Sequence, residues 1–241
     1  MMEAVFYSAG HTEALSYACA FLKEKGYPFA ITPDRTVTHL LLDVPFKEQV
    51  GLDQILSQLS KDVTIFGGNL QQPILAGRKV FDLLKDPVYL AENANITAHC
   101  AMKLALSQLP VTLQNCPVLI VGWGRIGKCL AQLLKQTGAC VSVAARKPQD
   151  RAMLTALGYI ALDTNDLDSA LANYRVIFNT VPVLLLKENA LSHCGPNCIK
   201  YELASLPGME GSDIISARGL PSRFAPESSG ELIARSILRL G

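Results

Sequence analysis

A glycine-rich turn near the middle of the chain has the residue types that bind a dinucleotide. The sequence G-W-G-R-I-G at 122–127 follows a short apolar, β-prone run and precedes a helical pattern, and a second β-prone run comes at the expected distance. Gly122 would permit the tight turn, Gly124 would let a pyrophosphate approach the backbone, and Gly127 would let the helix pack on the strand. The amino terminus of the helix would present free N–H groups and a positive dipole end to the phosphates. The predicted phosphate-contacting set is Gly122, Gly124, Arg125, Ile126 and Gly127.

The residues that follow the second strand indicate which dinucleotide binds. Where an NAD site usually places an acid against the ribose 2′-hydroxyl, this chain has Ala145, Arg146 and Lys147. Without a carboxylate to repel it, a 2′-phosphate would sit against Arg146, with Lys147 adding positive charge. We therefore predict NADP over NAD. The alternative is that the basic pair only forms a solvated turn.

Three further segments follow predicted strands and therefore belong to the edge where open parallel sheets bind ligands. They begin at Asn179, Ala204 and Arg218. Asn179 and Thr180 are expected to bond the nicotinamide side of the cofactor, although short polar residues also cap loops. The remaining predicted cofactor contacts are Val181, Pro182, Ser205 and Gly219.

A histidine and two cysteines lie close together in "HCGPNC" at 193–198 and raise the question of a metal site. Their spacing is poor for zinc, and the sequence offers no second ligand pair. The Gly-Pro pair favours a turn before a strand, so no metal is predicted.

The elements that must position these residues form two groups. Alternating apolar and helical segments from residue 1 to about 93 predict a small open parallel sheet, and the second group is built around the glycine-rich turn. In the first group we predict strands within 4–7, 39–45, 63–69 and 87–92, and helices within 11–26, 51–62 and 77–86. In the second we predict a connecting helix within 96–109, strands within 116–121, 140–145, 175–182, 198–205 and 212–221, a further helix within 166–174, and a closing amphipathic helix from 226.

Composition limits the class of protein. The chain has 241 residues, 49% of them hydrophobic, and a net charge of +1, so it has no overall field to recruit nucleic acid or an acidic membrane. No apolar run is long enough to span a bilayer, and the N-terminus does not have the pattern of a signal peptide. Seven cysteines, an odd number set mostly in apolar segments, indicate reduced thiols and a cytoplasmic protein.

From about residue 93 onward the chain resembles the dipicolinate synthase A-subunit family. The matching pieces are the glycine-rich turn with its helix and strand, "FNTVP", "ELASLPG" and "ARGLPSRFAPESSGELIA". The resemblance implies two Rossmann-like units with an interdomain cleft and a final helix that returns to the first unit. It also implies NADP-linked oxidation of dihydrodipicolinate to dipicolinate, with a second, flavoprotein-like subunit, in sporulating bacteria. The chain departs from the family at Leu206 and Met209, where Arg and Gly are usual.

A dicarboxylate substrate would need fixed positive charges and a base. Arg218 and Arg223 are candidates for charged contacts, and His99 and His11 for the base, because histidine titrates near neutral pH. Arg223 also fits a surface ion pair, and a histidine on a helix is often only part of the packing. The predicted catalytic residues are His99 and Arg218.

These patterns predict an α/β protein with a substrate unit at 1–95, completed by 226–241, and an NADP-binding Rossmann unit at 96–225. The predicted activity is NADP-dependent oxidoreduction of a small carboxylate, as in the resembling family. Two alternatives stay open: a dinucleotide-binding protein that regulates a partner without catalysis, and a reductase of another small acid. Self-association also stays open.

Overall fold

The computed structural model describes residues 4–47 and 50–241, which divide into two compact units. One consists of Met1–Asn93 with Pro221–Gly241, and the other of Ala94–Leu220. The strands are β1 (Phe6–Ser8), β2 (His39–Leu41), β3 (Thr64–Gly67), β4 (Lys79–Asp82), β5 (Pro117–Val121), β6 (Cys140–Ala145), β7 (Ile160–Asp163), β8 (Val176–Asn179), β9 (Ile199–Glu202) and β10 (Ile214–Ser216). The helices are α1 (Glu13–Glu24), α2 (Leu52–Gln58), α3 (Pro87–Gln108), α4 (Arg125–Gln136), α5 (Pro148–Ala156), α6 (Glu188–Leu191), α7 (Leu220–Phe224) and α8 (Pro226–Leu240).

The first unit is built on a four-stranded parallel sheet in the order β1-β2-β3-β4. Aromatic rings contact each other across neighbouring strands, with ring centroids 4.8 Å apart for Phe6 and His39, 5.9 Å for His39 and Phe66, and 5.1 Å for Phe66 and Phe81. Cross-strand aromatic contacts of this kind stabilise a small sheet beyond the burial of their area.

The C-terminal helix α8 packs against α1 in this unit. Leu232, Ile233 and Ile237 are buried on its apolar face. Gly230 permits the close approach, because a Cβ there would lie 2.5 Å from the carbonyl oxygen of Ala14. The fold predicted from the sequence, two parallel-sheet units with the last helix returning to the first, is confirmed in these features.

Two adjacent elements of the first unit were wrongly predicted. Segment 77–86 is not a helix but contains β4, and 87–92 is not a strand but the beginning of α3. Val80 and Phe81 are β-formers that pair with β3, and this pairing overrides the apparent helical spacing. Helix α3 begins at Pro87, with the carboxylate of Asp86 accepting a hydrogen bond from the backbone of Tyr89 at 2.9 Å.

The predicted helix at 166–174 was also wrong. This stretch contains only one 3-10 turn, Leu171–Asn173. Leu167 and Leu171 are four residues apart, as on a helix face, but a turn suffices to bury both in the core of the second unit.

The second unit holds a six-stranded parallel sheet in the order β10-β9-β8-β5-β6-β7. From β5 the chain proceeds to β6 and β7 on one side, then to β8, β9 and β10 on the other. The carboxyl ends of β5 and β8 therefore meet at a topological switch point, which is where open α/β sheets bind ligands. Among the described residues, no helix combines the length and hydropathy needed to cross a membrane.

Candidate dinucleotide site

The glycine-rich turn occupies the switch point between β5 and β8. Gly122 directly follows β5 with a φ of +109°, a conformation that L side chains rarely adopt, and a Cβ there would lie 2.4 Å from the Thr180 Oγ1. A Cβ on Gly127 would lie 2.2 Å from the Gly122 carbonyl oxygen. These two glycines therefore allow strand, turn and helix α4 to pack closely, as the sequence pattern predicts.

Gly124 differs from its two neighbours because the space beside it is open. It is the residue before α4, and a Cβ there would meet no atom within 4 Å. Here the backbone can be approached closely by a ligand, and the free N–H groups of the first turn of α4 lie at the same point. The turn therefore fits the pyrophosphate of a dinucleotide. Gly124 lines a 490 Å³ cavity together with Arg125, Ile126, Lys128 and Thr180.

A second cavity, of 380 Å³, lies beside the turn toward β6. Its wall includes Ala145, Arg146 and Lys147 from the end of β6, as well as Gly122 and Val181. The other wall residues were not predicted from the sequence to belong to a site: Trp123, Ala144, Asp150, Thr164, Val183 and Leu185. Asp150 could have been predicted as a wall residue from the sequence, because it lies in the first turn of the helix that follows β6. The cavity combines apolar walls with two cations and one acid, which suits a purine base whose ribose carries a phosphate.

The loop that carries Arg146 is held in place by Arg151, which lies in helix α5. One guanidinium nitrogen of Arg151 donates to the carbonyl oxygens of Ala145 at 2.9 Å and Arg146 at 2.8 Å. The other guanidinium nitrogen forms an ion pair with Asp163, at the end of β7, at 2.9 Å. Arg151 thereby ties the loop after β6 to the neighbouring strand. Its role cannot be read from the sequence, because its partners are two backbone carbonyls and a residue twelve positions away.

On the β8 side of the turn, Thr180 and Asn179 are engaged by the protein itself. The Thr180 hydroxyl donates to the carbonyl oxygen of Val121 at 2.9 Å. Asn179 is only 1% exposed, and its amide nitrogen donates to the Val181 carbonyl at 2.9 Å and to Glu202 at 2.8 Å. Both amide hydrogens of Asn179 thus have protein acceptors, so this side chain shapes the loop after β8.

Glu202 is a buried carboxylate whose importance was not predicted from the sequence. It is 3% exposed at the end of β9. Besides Asn179, it accepts hydrogen bonds from the backbone N–H groups of Ala204 at 3.0 Å, Gly208 at 2.8 Å and Met209 at 3.1 Å. Four donors satisfy the charge and hold the loops after β8 and β9 together. An isolated Glu in "YELAS" gives no signal of this network.

The remaining predicted residues lie outside the two cavity walls. Pro182, Ser205 and Gly219 are exposed in the loops after β8, β9 and β10. Arg218 is exposed in the last of these loops and takes part in no ion pair among the described residues. His99 is exposed on α3. Because β10 is parallel to the other strands, the sheet brings Arg218 to the edge that carries the glycine-rich turn. His99 lies on α3, and no strand of the sheet positions it.

The "HCGPNC" segment forms a turn before β9. Cys194 and Cys198 are within hydrogen-bonding distance of each other, and burial, reinforced by Cys194, raises the pKa of the Cys198 thiol to about 12. A protonated thiol is a poor metal ligand. Within the described part of the chain, no three His, Cys, Asp or Glu side chains group in a way that could hold a metal ion.

Fold and site together define a dinucleotide-binding protein of the dehydrogenase type. Residues 93–194 match the family described as D-isomer specific 2-hydroxyacid dehydrogenase, NAD binding domain. The match agrees with the strand order, the glycine-rich turn and the open space at Gly124.

More specific relatives are known from both sequence and structure. The chain is 28% identical over 173 residues to the dipicolinate synthase A-subunit of Bacillus subtilis (strain 168), a match that spans 68% of this chain and 58% of that protein. It is similar to the crystal structure of the dipicolinate synthase A-subunit from Bacillus halodurans, with a TM-score of 0.85, 19% identity, and coverage of 100% of this chain and 99% of that one. The Bacillus subtilis crystal structure gives a TM-score of 0.81 at 21% identity, with 100% and 96% covered. The sequence match to that subunit confirms the resemblance seen in the motifs, and the two crystal structures share the fold of this chain.

Proposed function

We propose that this protein is an NADP-dependent oxidoreductase. The observation that carries the proposal is the cavity beside the glycine-rich turn, in which Arg146 and Lys147 follow β6 directly where an acid would select NAD. Two exposed cations on a loop fixed by Arg151 suit the doubly charged 2′-phosphate. Asp150 in the same wall opposes that charge and limits the preference.

For the reaction, we propose oxidation of dihydrodipicolinate to dipicolinate, because the relatives with the same fold are named as a component of dipicolinate synthase. The substrate loses a hydride and a proton as its ring becomes aromatic, and bound NADP supplies the hydride acceptor. Arg218 would bind a substrate carboxylate, since its guanidinium has no ion-pair partner among the described residues. His99 is the candidate for accepting the proton.

A partner subunit forms part of the proposal. The names of the relatives identify them as one lettered subunit of a synthase, and we expect this chain to act with a second subunit too. Co-purification of the two gene products would test this expectation.

A non-catalytic, regulatory role is the second candidate, and Leu206 is the observation that favours it. This side chain is 61% exposed in the loop after β9, beside the loop that follows β8. Val183 and Leu184 are also exposed in that second loop. The apolar surface formed by Leu206, Val183 and Leu184 has no charged group that could bind a substrate carboxylate. Such a surface suits contact with another protein better than binding of an acid.

Turnover separates the two candidates. The protein is incubated with dihydrodipicolinate and NADP, and formation of NADPH is followed by absorbance, with and without the partner subunit. Turnover that is lost in Arg218→Gln, while NADPH affinity is retained, supports the oxidoreductase. Tight NADPH binding without turnover under either condition favours the regulatory protein.

A further inference from the structure

A third cavity lies at the opposite edge of the six-stranded sheet from the glycine-rich turn. It has a volume of 540 Å³ and is walled by the segments that precede β5, β8 and β9. Because all three strands are parallel, the residues before them lie at the amino-terminal edge, whereas the dinucleotide turn follows the carboxyl end of β5. Nothing in the proposed reaction uses this cavity.

Arg175 is the only cation in the described wall, and its backbone is firmly held. Its N–H donates to the Pro117 carbonyl at 2.9 Å, and its carbonyl accepts from the Ile199 N–H at 3.0 Å. The residue is thus fixed between β5 and β9 at the start of β8. A ligand that binds Arg175 would therefore meet a side chain whose backbone position is fixed by the sheet.

The guanidinium of Arg175 lacks the partners that a half-buried cation normally has. Its Nε is buried and makes no hydrogen bond. No ion pair among the described residues includes Arg175, and none of the described wall residues is an aspartate or a glutamate. The nearby thiol of Cys116 is a neutral group, because burial raises its pKa. A buried donor on a charged group is costly to leave unsatisfied, so an orphan of this kind calls for an explanation.

The rest of the wall suits a small acid. Gln114, Asn115, Asn173 and Asn197 line the same wall as the cation, and their amides can donate and accept hydrogen bonds. Val111 and Pro196 contribute apolar surface to the same wall. We propose that this cavity binds a small carboxylate, whose charge pairs with Arg175 and whose oxygens accept hydrogen bonds from the amides. The planar guanidinium favours a carboxylate, since it matches that group in a bidentate arrangement. The site is independent of the dinucleotide and of the proposed reaction.

The side-chain N–H resonance of Arg175 tests the proposal in the intact chain. Protein labelled with ¹⁵N-arginine is titrated with sodium succinate, and the Arg175 Nε–H signal is assigned by its absence in Arg175→Lys. We expect a saturable shift of this signal that sodium chloride at equal ionic strength does not produce. Asn197→Ala, which removes an amide of the same wall, should weaken the binding several-fold.

Two results would overturn the proposal. The first is an Arg175 signal that moves no further with succinate than with chloride. The second is a saturable shift with sodium phosphate but none with succinate, which would assign the cavity to another anion. NADPH affinity, measured in parallel, should be the same in Arg175→Lys as in the unchanged protein, so failure of this site and failure of the dinucleotide site are distinguishable.

Discussion

The Arg151 guanidinium is 2.9 Å from the Asp163 carboxylate, and the same side chain donates to the carbonyl oxygens of Ala145 and Arg146. Arg151 lies in helix α5 and Asp163 at the end of β7, so their ion pair helps to fix the loop after β6, whose side chains Arg146 and Lys147 line the cavity beside the glycine-rich turn. The pair is partly exposed, so its own Coulomb energy is small. Its importance lies in the position that it gives to Arg146.

Replacement of Arg151 should therefore weaken NADPH binding more than NADH binding. We expect Arg151→Ala to lower NADPH affinity about fivefold, the equivalent of ~1 kcal/mol of lost loop order. Asp163→Asn, which leaves the two bonds to carbonyl oxygens intact, serves as the matched control and should have a smaller effect. Equal losses for NADPH and NADH in Arg151→Ala would contradict this role.

The basic pair itself should select NADPH over NADH. Trp123 is the single tryptophan of the chain and lines the cavity, so energy transfer from its indole to the reduced nicotinamide measures both affinities directly. Arg146→Ala should reduce the NADPH preference by about tenfold, since it removes one charge-assisted contact. Asp150→Asn should raise the preference by removing a repelling charge. Equal affinities of the unchanged protein for NADPH and NADH would contradict the NADP assignment.

The two glycines at the start of α4 should respond in opposite ways to the same substitution. Gly124→Val should abolish dinucleotide binding and leave the free energy of unfolding within about 1 kcal/mol, because its side chain enters open space that the pyrophosphate needs. Gly127→Val should destabilise the second unit by more than ~3 kcal/mol, because its Cβ meets the Gly122 carbonyl. Calorimetry and NADPH titration of both variants check this contrast. If folded Gly124→Val binds NADPH normally, the turn is not the site.

Loss of the Glu202 charge should loosen two loops at once. In Glu202→Gln an amide nitrogen would face backbone N–H donors that now point at a carboxylate oxygen. We expect a loss of about 2–4 kcal/mol in unfolding free energy. Hydrogen exchange should show faster opening at Gly208 and Met209, with little change at β6. Unchanged protection at those two amides would show that the network is dispensable.

Stability of the first unit should fall in mild acid because of His39. Burial of the ring, helped by the charge of Lys79, lowers the pKa of His39 from its ordinary value of 6.5. The unfolded chain therefore takes up a proton as the pH falls through ~6.5, whereas the folded unit resists it until lower pH, so stability declines over that interval. His39→Leu should remove this part of the pH dependence in urea unfolding at about pH 7.5 and pH 5.5. An unaltered slope in His39→Leu would assign the effect to other groups.

The sequence was most informative where local chemistry is strong. The nucleotide unit was predicted from the apolar run before the glycines and from their spacing, because backbone geometry allows few alternatives at such a turn. The bounds of β6 were predicted from its apolar sequence and its alanine-rich end. The apolar spacing of the last helix likewise predicted its buried face. Short segments were predicted less well. A helix was predicted within 77–86, where the structure has β4, because pairing with β3 decided its conformation. A strand was predicted within 87–92, where the structure has the beginning of α3 with its cap at Asp86.

The sequence by itself determined that the chain has an α/β fold with one dinucleotide turn, and it identified the basic pair after the second strand. Only the tertiary structure decided which of the polar residues are available to a ligand. Asn179 is predicted as a cofactor contact by its position, yet the fold uses both of its amide hydrogens. Arg175 is inconspicuous in the sequence, yet the fold leaves its Nε without a partner. The physical reason is that hydrogen-bond satisfaction depends on neighbours distant in the chain, which local spacing does not encode.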